Sequence, residues 1–316
     1  MAVRKKIRIT ARDWELLKYL AEYTVVSIDT VGKIFGTEKY HEDRITELRK
    51  AKLISRKKNL VYLTKAGREI LEQNNFSCRA LPDPISRETR YPRVADFAVE
   101  ISGSNWVFIP SWRYKEERGK LSLRGARLYG VISNGQVEYA VYNIGEEPRD
   151  KSLHSLKQEI RNLPVTLGLR RAVIFAESEK AMQDYGEEPM GLMEQWLLLY
   201  NDINLALLKR AASENLIKKA AQMLFEHGGP PEWKGADYTV DNGRQAVVLI
   251  FNDVEKIARL NEYAELLAYR RIRSQGNVVI VCLKDREEYY RQKYPRFGVM
   301  AVDAERLIEK DGGDKQ

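Results

Sequence analysis

Arg56-Lys57-Lys58-Asn59 sets three adjacent cations beside a turn-forming asparagine, and phosphate contact is the chemistry such a run serves. Clustered cations bind a polyanion by releasing the counterions condensed on it, so their concentration in one place matters more than their total. Residues 1–79 carry 18 Lys+Arg against 10 Asp+Glu, a net +8 that equals the formal net charge of the whole 316-residue chain. The remaining residues are electrically balanced, so one short segment holds the entire excess. Within it, Arg44 has the guanidinium fork that can contact guanine through two hydrogen bonds. Tyr40, His41 and Lys50 lie on the same stretch, and Lys5, Lys6 and Arg8 form a basic arm.

Residues for bond-breaking chemistry are sparser. There is no GxxxxGK[ST] phosphate loop, GxSxG elbow, HExxH or CxxC. His41, His154 and His227 are widely separated, and Cys78 and Cys282 are the only cysteines. Neither a zinc site nor a disulfide framework is expected, and no cofactor, metal ligand or catalytic residue is assigned. Cys282, inside VVIVCL, reads as a small buried hydrophobe. Tyr289, Tyr290 and Tyr294 lie near Arg286 and Arg291, but a tyrosine that attacks DNA in relaxase fashion also needs a histidine cluster for its metal. Asp96 and Glu100 form an acid pair in VADFAVEI. Read as a strand, that segment would hold their side chains about 13 Å apart at about 3.3 Å per residue, too far for one metal to bridge unaided.

The elements that must position these residues follow from periodicity and caps. Thr10 predicts the N-cap of a helix through Tyr23, with Trp14, Leu17, Leu20 and Ala21 on one face. A second helix is predicted from about Ser27 to Phe35, with its start marked by Ser27 or Asp29 and Gly36 as its C-terminal stop, and a third from Tyr40 to Ala51, with Ile45 and Leu48 inward. Leu53-Ile54-Ser55 and Val61-Tyr62-Leu63 read as a hairpin with cations at its tip, and Thr64 caps a further helix, TKAGREILEQ.

Helix, helix, helix, basic hairpin, helix, together with LISRKKNLVYLTKAGREIL, resembles the winged-helix family of DNA-binding domains over about 70 residues. The resemblance implies that the third helix enters the major groove and the wing lies along phosphates or a minor groove. It assigns Tyr40, His41, Arg44 and Lys50 to the groove and Arg56, Lys57, Lys58 and Asn59 to the wing, with Lys5, Lys6 and Arg8 as a phosphate-binding arm.

Prolines 82, 84 and 92 mark a connector over 76–92. Beyond it, VADFAVEI and NWVFIP read as strands, ARLYGVIS and VEYAVYNI as a hairpin, Ser152–Leu163 as a helix and RRAVIFAE as a strand. Strands alternating with helices imply a mixed sheet with helices on its faces. An internal echo sets Gly125-Ala126-Arg127, a helix and RRAVIFAES beside Gly235-Ala236-Asp237, a helix and NVVIVCLKD. A duplicated unit would produce it, and so would a common turn dipeptide in common α/β order.

This order after a winged helix resembles the plasmid replication-relaxation family, whose carboxy-terminal region is similar to the PD-(D/E)xK nuclease fold. That chemistry needs an acid at one strand end and an acid-x-Lys pair on the next strand, to hold a divalent metal and place the attacking water. The first half offers Arg127 and Tyr139-Ala140-Val141-Tyr142-Asn143, and the second offers Asp237 followed by the apolar Val247–Phe251 before Asn252-Asp253. Both depart from the catalytic pattern, so a degenerate scaffold is expected.

The expected fold class is therefore multi-domain α/β. A winged-helix domain over 1–75 and a linker over 76–92 precede α/β units over 93–190 and 191–316. The expected function is sequence-specific binding of double-stranded DNA by a replication or transfer accessory protein of a plasmid or mobile element. A homodimer and replication or transfer proteins are the expected partners. Two alternatives remain open: a metal-dependent endonuclease using Asp237 and Asp253 or Asp96 and Glu100, and a ligand-responsive repressor. No apolar run approaches the roughly 20 residues that span a bilayer. MAVRKKIRIT lacks the apolar stretch of a secretory signal, so a cytoplasmic protein is expected.

Overall fold

The computed structural model describes residues 7–36, 40–79, 84–119, 127–269 and 277–309. The chain divides into two compact units, Met1–Ser102 and Gly103–Gln316. The first contains α1 (Ala11–Tyr23), β1 (Val25–Ser27), α2 (Ile28–Phe35), α3 (Tyr40–Lys50), β2 (Ile54–Lys57), β3 (Leu60–Leu63), α4 (Lys65–Gln73) and α5 (Pro84–Ile101). Its three strands form an antiparallel sheet in the order β1-β3-β2.

Local chemistry explains the boundaries. Thr10 caps α1 in a reciprocal box, its N–H donating to Asp13 Oδ2 at 2.6 Å and its Oγ1 accepting from Asp13 N at 3.3 Å. Ser27 Oγ accepts from Thr30 N at 3.0 Å at the start of α2, and Gly36 ends that helix at φ 67°. Thr64 Oγ1 accepts from Gly67 N at 3.1 Å and donates to the Leu53 carbonyl at 2.9 Å. Gly67 has a packing reason: a Cβ there would lie 2.2 Å from the Leu53 carbonyl oxygen. Leu16, Leu17, Leu20, Val31, Phe35, Ile45, Leu48, Val61 and Leu71 form the buried interior.

One element differs in kind from the sequence expectation. VADFAVEI is the second half of helix α5, and Val94, Ala95, Phe97, Ala98 and Ile101 are its buried positions at helical spacing. Residues 84–92, expected in a connector, belong to the same helix, with Pro92 inside it. The first compact unit accordingly reaches Ser102 rather than residue 75.

The second unit contains two five-stranded sheets. The first half runs β4 (Val107–Pro110), α6 (Ser111–Glu117), β5 (Gly130–Ser133), β6 (Glu138–Ile144), α7 (Asp150–Thr166), β7 (Arg171–Ala176), α8 (Glu179–Tyr185) and β8 (Glu194–Leu199). After α9 (Asp202–Ala211) and α10 (Leu216–Gln222) come β9 (Gly228–Gly229), β10 (Tyr238–Val240), β11 (Arg244–Val248), α11 (Val254–Tyr269), β12 (Val278–Leu283), α12 (Glu287–Lys293), β13 (Gly298–Val302) and α13 (Ala304–Ile308). Strand order follows the chain in both sheets. In each, the first three strands are antiparallel and the last two join in parallel through a helix. The echo in the sequence thus has a counterpart in topology.

The halves are joined, and the joint lies beyond the expected division at 190/191, because β8 completes the first sheet. Trp196 stacks on Phe251 with centroids 4.1 Å apart. Asn252 Nδ2 donates to the Leu197 carbonyl at 3.2 Å, and Leu197 N donates to the Asn252 carbonyl at 3.3 Å. Glu255 Oε1 accepts from Met190 N and Leu192 N at 2.8 and 3.0 Å. Among the described residues, no helix is long and apolar enough to cross a membrane.

Candidate nucleic-acid interface

The candidate interface is built on α3 and the β2–β3 hairpin. Lys57 pairs with Leu60 across a two-residue turn, with Lys58 and Asn59 at its tip. Lys58, not Asn59, takes the left-handed conformation, at φ 56°. The Asn59 carbonyl accepts from Ile28 N at 2.8 Å, which ties the tip to the first residue of α2. Lys57, Lys58 and Asn59 are exposed. Arg56 is engaged, its Nη1 donating to Glu42 Oε2 at 2.6 Å and its Nε to the Lys58 carbonyl at 3.0 Å. With both partners of the Arg56–Glu42 pair partly exposed, such a contact is worth at most about 1 kcal/mol, and phosphate could compete for the guanidinium.

Arg44 is a correction. Its side chain is buried, 7% exposed as a residue, and faces inward beside Ile45 and Leu48. Nε donates to Asp13 Oδ1 at 2.8 Å, Nη2 bonds Asp13 Oδ2 and the Arg8 carbonyl, and Nη1 bonds Glu47. With those donors engaged it has no fork to offer a base, and it serves instead as a clamp between α3 and the start of α1. Asp13 is fully buried. Burial opposes its charge, but hydrogen bonds from Arg44 and Thr10 outweigh that cost and hold its carboxyl below the usual range, while Arg44 is pushed up.

The other groove residues divide. Tyr40 is 49% exposed and stands 6.2 Å, centroid to centroid, from Phe35. The His41 ring lies over Gly32 of α2, within 3.5 Å of where a Cβ on that glycine would be. Lys50 is exposed, and so are Arg49 and Lys52, two cations that sequence reasoning passed over although they stand in the same RKAK run. Asp43 and Glu47 are exposed on the same helix, so α3 is not a uniformly basic face; the cations gather at its C-terminal end and at the hairpin tip. Lys5 and Lys6 lie outside the described residues.

No protein-family model, curated protein or solved structure matches the chain. Of the acids proposed for metal chemistry, Asp96, Glu100 and Asp237 have partners on the elements around them. Asp96 and Glu100 sit one turn apart on α5, not across a strand. Ser27 and Thr30 hydroxyls both donate to Asp96 Oδ1, and Glu100 pairs with Lys33. Burial lifts the Asp96 carboxyl, with the two hydroxyls partly offsetting the shift. Asp237 Oδ1 accepts from Lys256 Nζ at 2.6 Å and Oδ2 from Val248 N at 2.8 Å. Lys256, third residue of α11, thus ties helix to strand. Ser152, third residue of α7, ties the first half in the same way, to Arg127. Asp253 is buried at the joint between the halves, remote in role from a metal ligand. Among the described residues no three His, Cys, Asp or Glu side chains are grouped to hold a metal.

The tyrosines are also committed. Tyr290 donates to Asn252 Oδ1 at 2.8 Å, Tyr294 to Asn261 Oδ1 at 2.6 Å and Tyr289 to Glu187 at 2.6 Å. Burial raises all three phenols, opposite to what a nucleophile needs. Cys282 is buried, and burial pushes its thiol up to about 12.

Proposed function

We propose that residues 1–102 form a winged-helix domain that binds double-stranded DNA, and that the α/β unit is a noncatalytic, nuclease-like scaffold. It would assemble a homodimer or hold replication or transfer proteins of a plasmid or mobile element at the site. The observation that carries the reading is that the chain's whole net charge of +8 resides in residues 1–79, beside an exposed basic hairpin tip. Lys57, Lys58 and Asn59 at the tip and Arg49, Lys50 and Lys52 at the end of α3 would make the phosphate contacts, with Arg56 exchanging Glu42 for phosphate. Tyr40 would reach toward the groove. Affinity would then come mainly from the backbone and fall steeply with salt.

The test is a mobility shift of the full chain on double-stranded DNA, with and without Mg²⁺, followed by denaturing electrophoresis of the same DNA. The Lys50→Ala, Lys57→Ala, Lys58→Ala triple variant should bind all sequences more weakly, with the salt slope reduced by about 2–3. Unchanged affinity would remove the hairpin from the interface, and Mg²⁺-dependent cuts would restore the endonuclease. One observation favours the ligand-responsive repressor as a second reading. A cavity of about 960 Å³ lies between α10 and β9–β10, lined by Phe225, Lys218, His227, Tyr238 and Asp241.

A further inference from the structure

We propose that Asp96 is a positioning residue for the hairpin tip, acting through the N-terminus of α2; as a contribution to DNA binding this rests on the function proposed above. The geometry is a continuous chain of contacts. Asp96, on α5, receives two hydroxyls on one carboxylate oxygen, from Ser27 at 2.9 Å and from Thr30. Ser27 is the N-cap of α2 and the last residue of β1, where it pairs with Leu60 of β3. Its neighbour Ile28 donates its N–H to the carbonyl of Asn59 at the hairpin tip, at 2.8 Å.

At the tip, Arg56 Nε also donates to the Lys58 carbonyl at 3.0 Å. Lys57, Lys58 and Asn59 are exposed, the turn between the strands is two residues long, and Lys58 occupies a left-handed conformation that lysine does not favour. From below, the Ile28–Asn59 bond ties the tip to the first turn of α2, next to the Ser27–Leu60 strand pairing. That bond is only as well placed as the first turn of α2.

A helix N-terminus needs a cap and favours a nearby negative charge. Ser27 supplies the cap. Asp96 supplies the charge from another element and orients the Ser27 and Thr30 hydroxyls. Both hydroxyl-bearing residues are buried, so solvent cannot substitute for the carboxylate. One turn further along the same two helices, Lys33 and Glu100 pair, which registers α5 against α2 at a second point.

The experiment compares the full-length wild type with Asp96→Ala, Asp96→Asn and Thr30→Val, using hydrogen–deuterium exchange and binding of a labelled double-stranded oligonucleotide of mixed sequence. Asparagine keeps an accepting oxygen but not the charge, so Asp96→Asn should fall between wild type and Asp96→Ala. Asp96→Ala should speed exchange in the peptides covering 25–30 and 57–61, leave α11 unchanged, and weaken binding about three- to tenfold. Thr30→Val removes one hydroxyl without changing shape, and should show the same pattern to a lesser degree should Asp96→Ala fold poorly. Unaltered exchange at 57–61 in both Asp96→Ala and Thr30→Val would overturn the inference, as would equal effects of Asp96→Ala and Asp96→Asn. If wild type binds no DNA, the functional reading falls, and the positioning role is decided by the exchange data alone.

Discussion

Asp253 offers a quantitative test of how the two α/β halves are joined. It is 2% exposed, Oδ1 accepts from Gln195 N at 3.2 Å and Glu255 N at 3.1 Å, and Oδ2 has no partner. Burial raises its carboxyl from 3.8 to about 6, against the help of the Lys256 charge and the two amides. Holding it ionised in the folded state therefore costs about 3 kcal/mol. The sign follows from a folded value above the unfolded one. The penalty is absent below about pH 4, grows as pH rises through the window between about 4 and 6, and is complete above it. Asp253→Asn keeps the accepting oxygen and removes the charge. Its stability relative to wild type should be near zero or slightly negative at pH 4 and rise by about 3 kcal/mol by pH 8, a gain of several degrees in melting temperature for a unit of this size. Urea midpoints of both proteins across that range provide the measurement, and taking their difference cancels every other titrating group. A difference that does not change with pH, or an Asn variant that loses stability toward pH 8, would refute the reasoning.

Other substitutions probe separate claims. Arg44→Ala leaves Asp13 buried without its main partner and should cost about 3–5 kcal/mol, read as lost thermal stability of the first unit. If instead the variant melts like wild type and loses only DNA affinity, Arg44 contacts DNA after all. Gly67→Ala drives a Cβ to within 2.2 Å of the Leu53 carbonyl oxygen and should destabilise the α4–hairpin junction by several kcal/mol, visible in a denaturant titration. Lys256→Met strands Asp237 with the Val248 amide and should lower stability by about 1–3 kcal/mol. The same variant should gain no nuclease activity in Mg²⁺, and metal-dependent cleavage of a plasmid substrate by it would show a masked active centre.

The residues best read from sequence were those whose role is local. Thr10, Ser27 and Thr64 are all N-caps and Gly36 is a C-terminal stop, because capping depends on hydrogen bonds three or four residues away. Arg44 was misread because its partner Asp13 lies 31 residues upstream, although its position four residues before the buried Leu48 put it on the inward face. VADFAVEI was misread because valine, phenylalanine and isoleucine favour strands, while burial at 94, 95, 97, 98 and 101 follows the helical period. Pro92, taken as the mark of a connector, sits within a helix that packs against β1, where tertiary contacts outweigh its missing N–H.

The two α/β halves bear on function through what they do differently with one architecture. Each ties the third residue of its crossover helix to the segment entering the second strand of its sheet, by Arg127–Ser152 in one and Asp237–Lys256 in the other. Around the first tie, Glu159 adds hydrogen bonds to the Arg127 and Leu128 amides at 2.7 and 3.2 Å. These positions close helix against sheet with side chains of opposite chemistry. A metal centre requires carboxylates with free oxygens converging on one point, whereas Asp237 has one oxygen on an ammonium and the other on an amide. At the joint, Glu255 Oε1 and Asp253 Oδ1 accept backbone amides of the first half. Acidic side chains in this unit hold the scaffold together at the places where chemistry would need them unengaged. The excess of cations over acids lies in residues 1–79, and the proposed division of labour, contact by the first unit and assembly by the second, rests on that contrast.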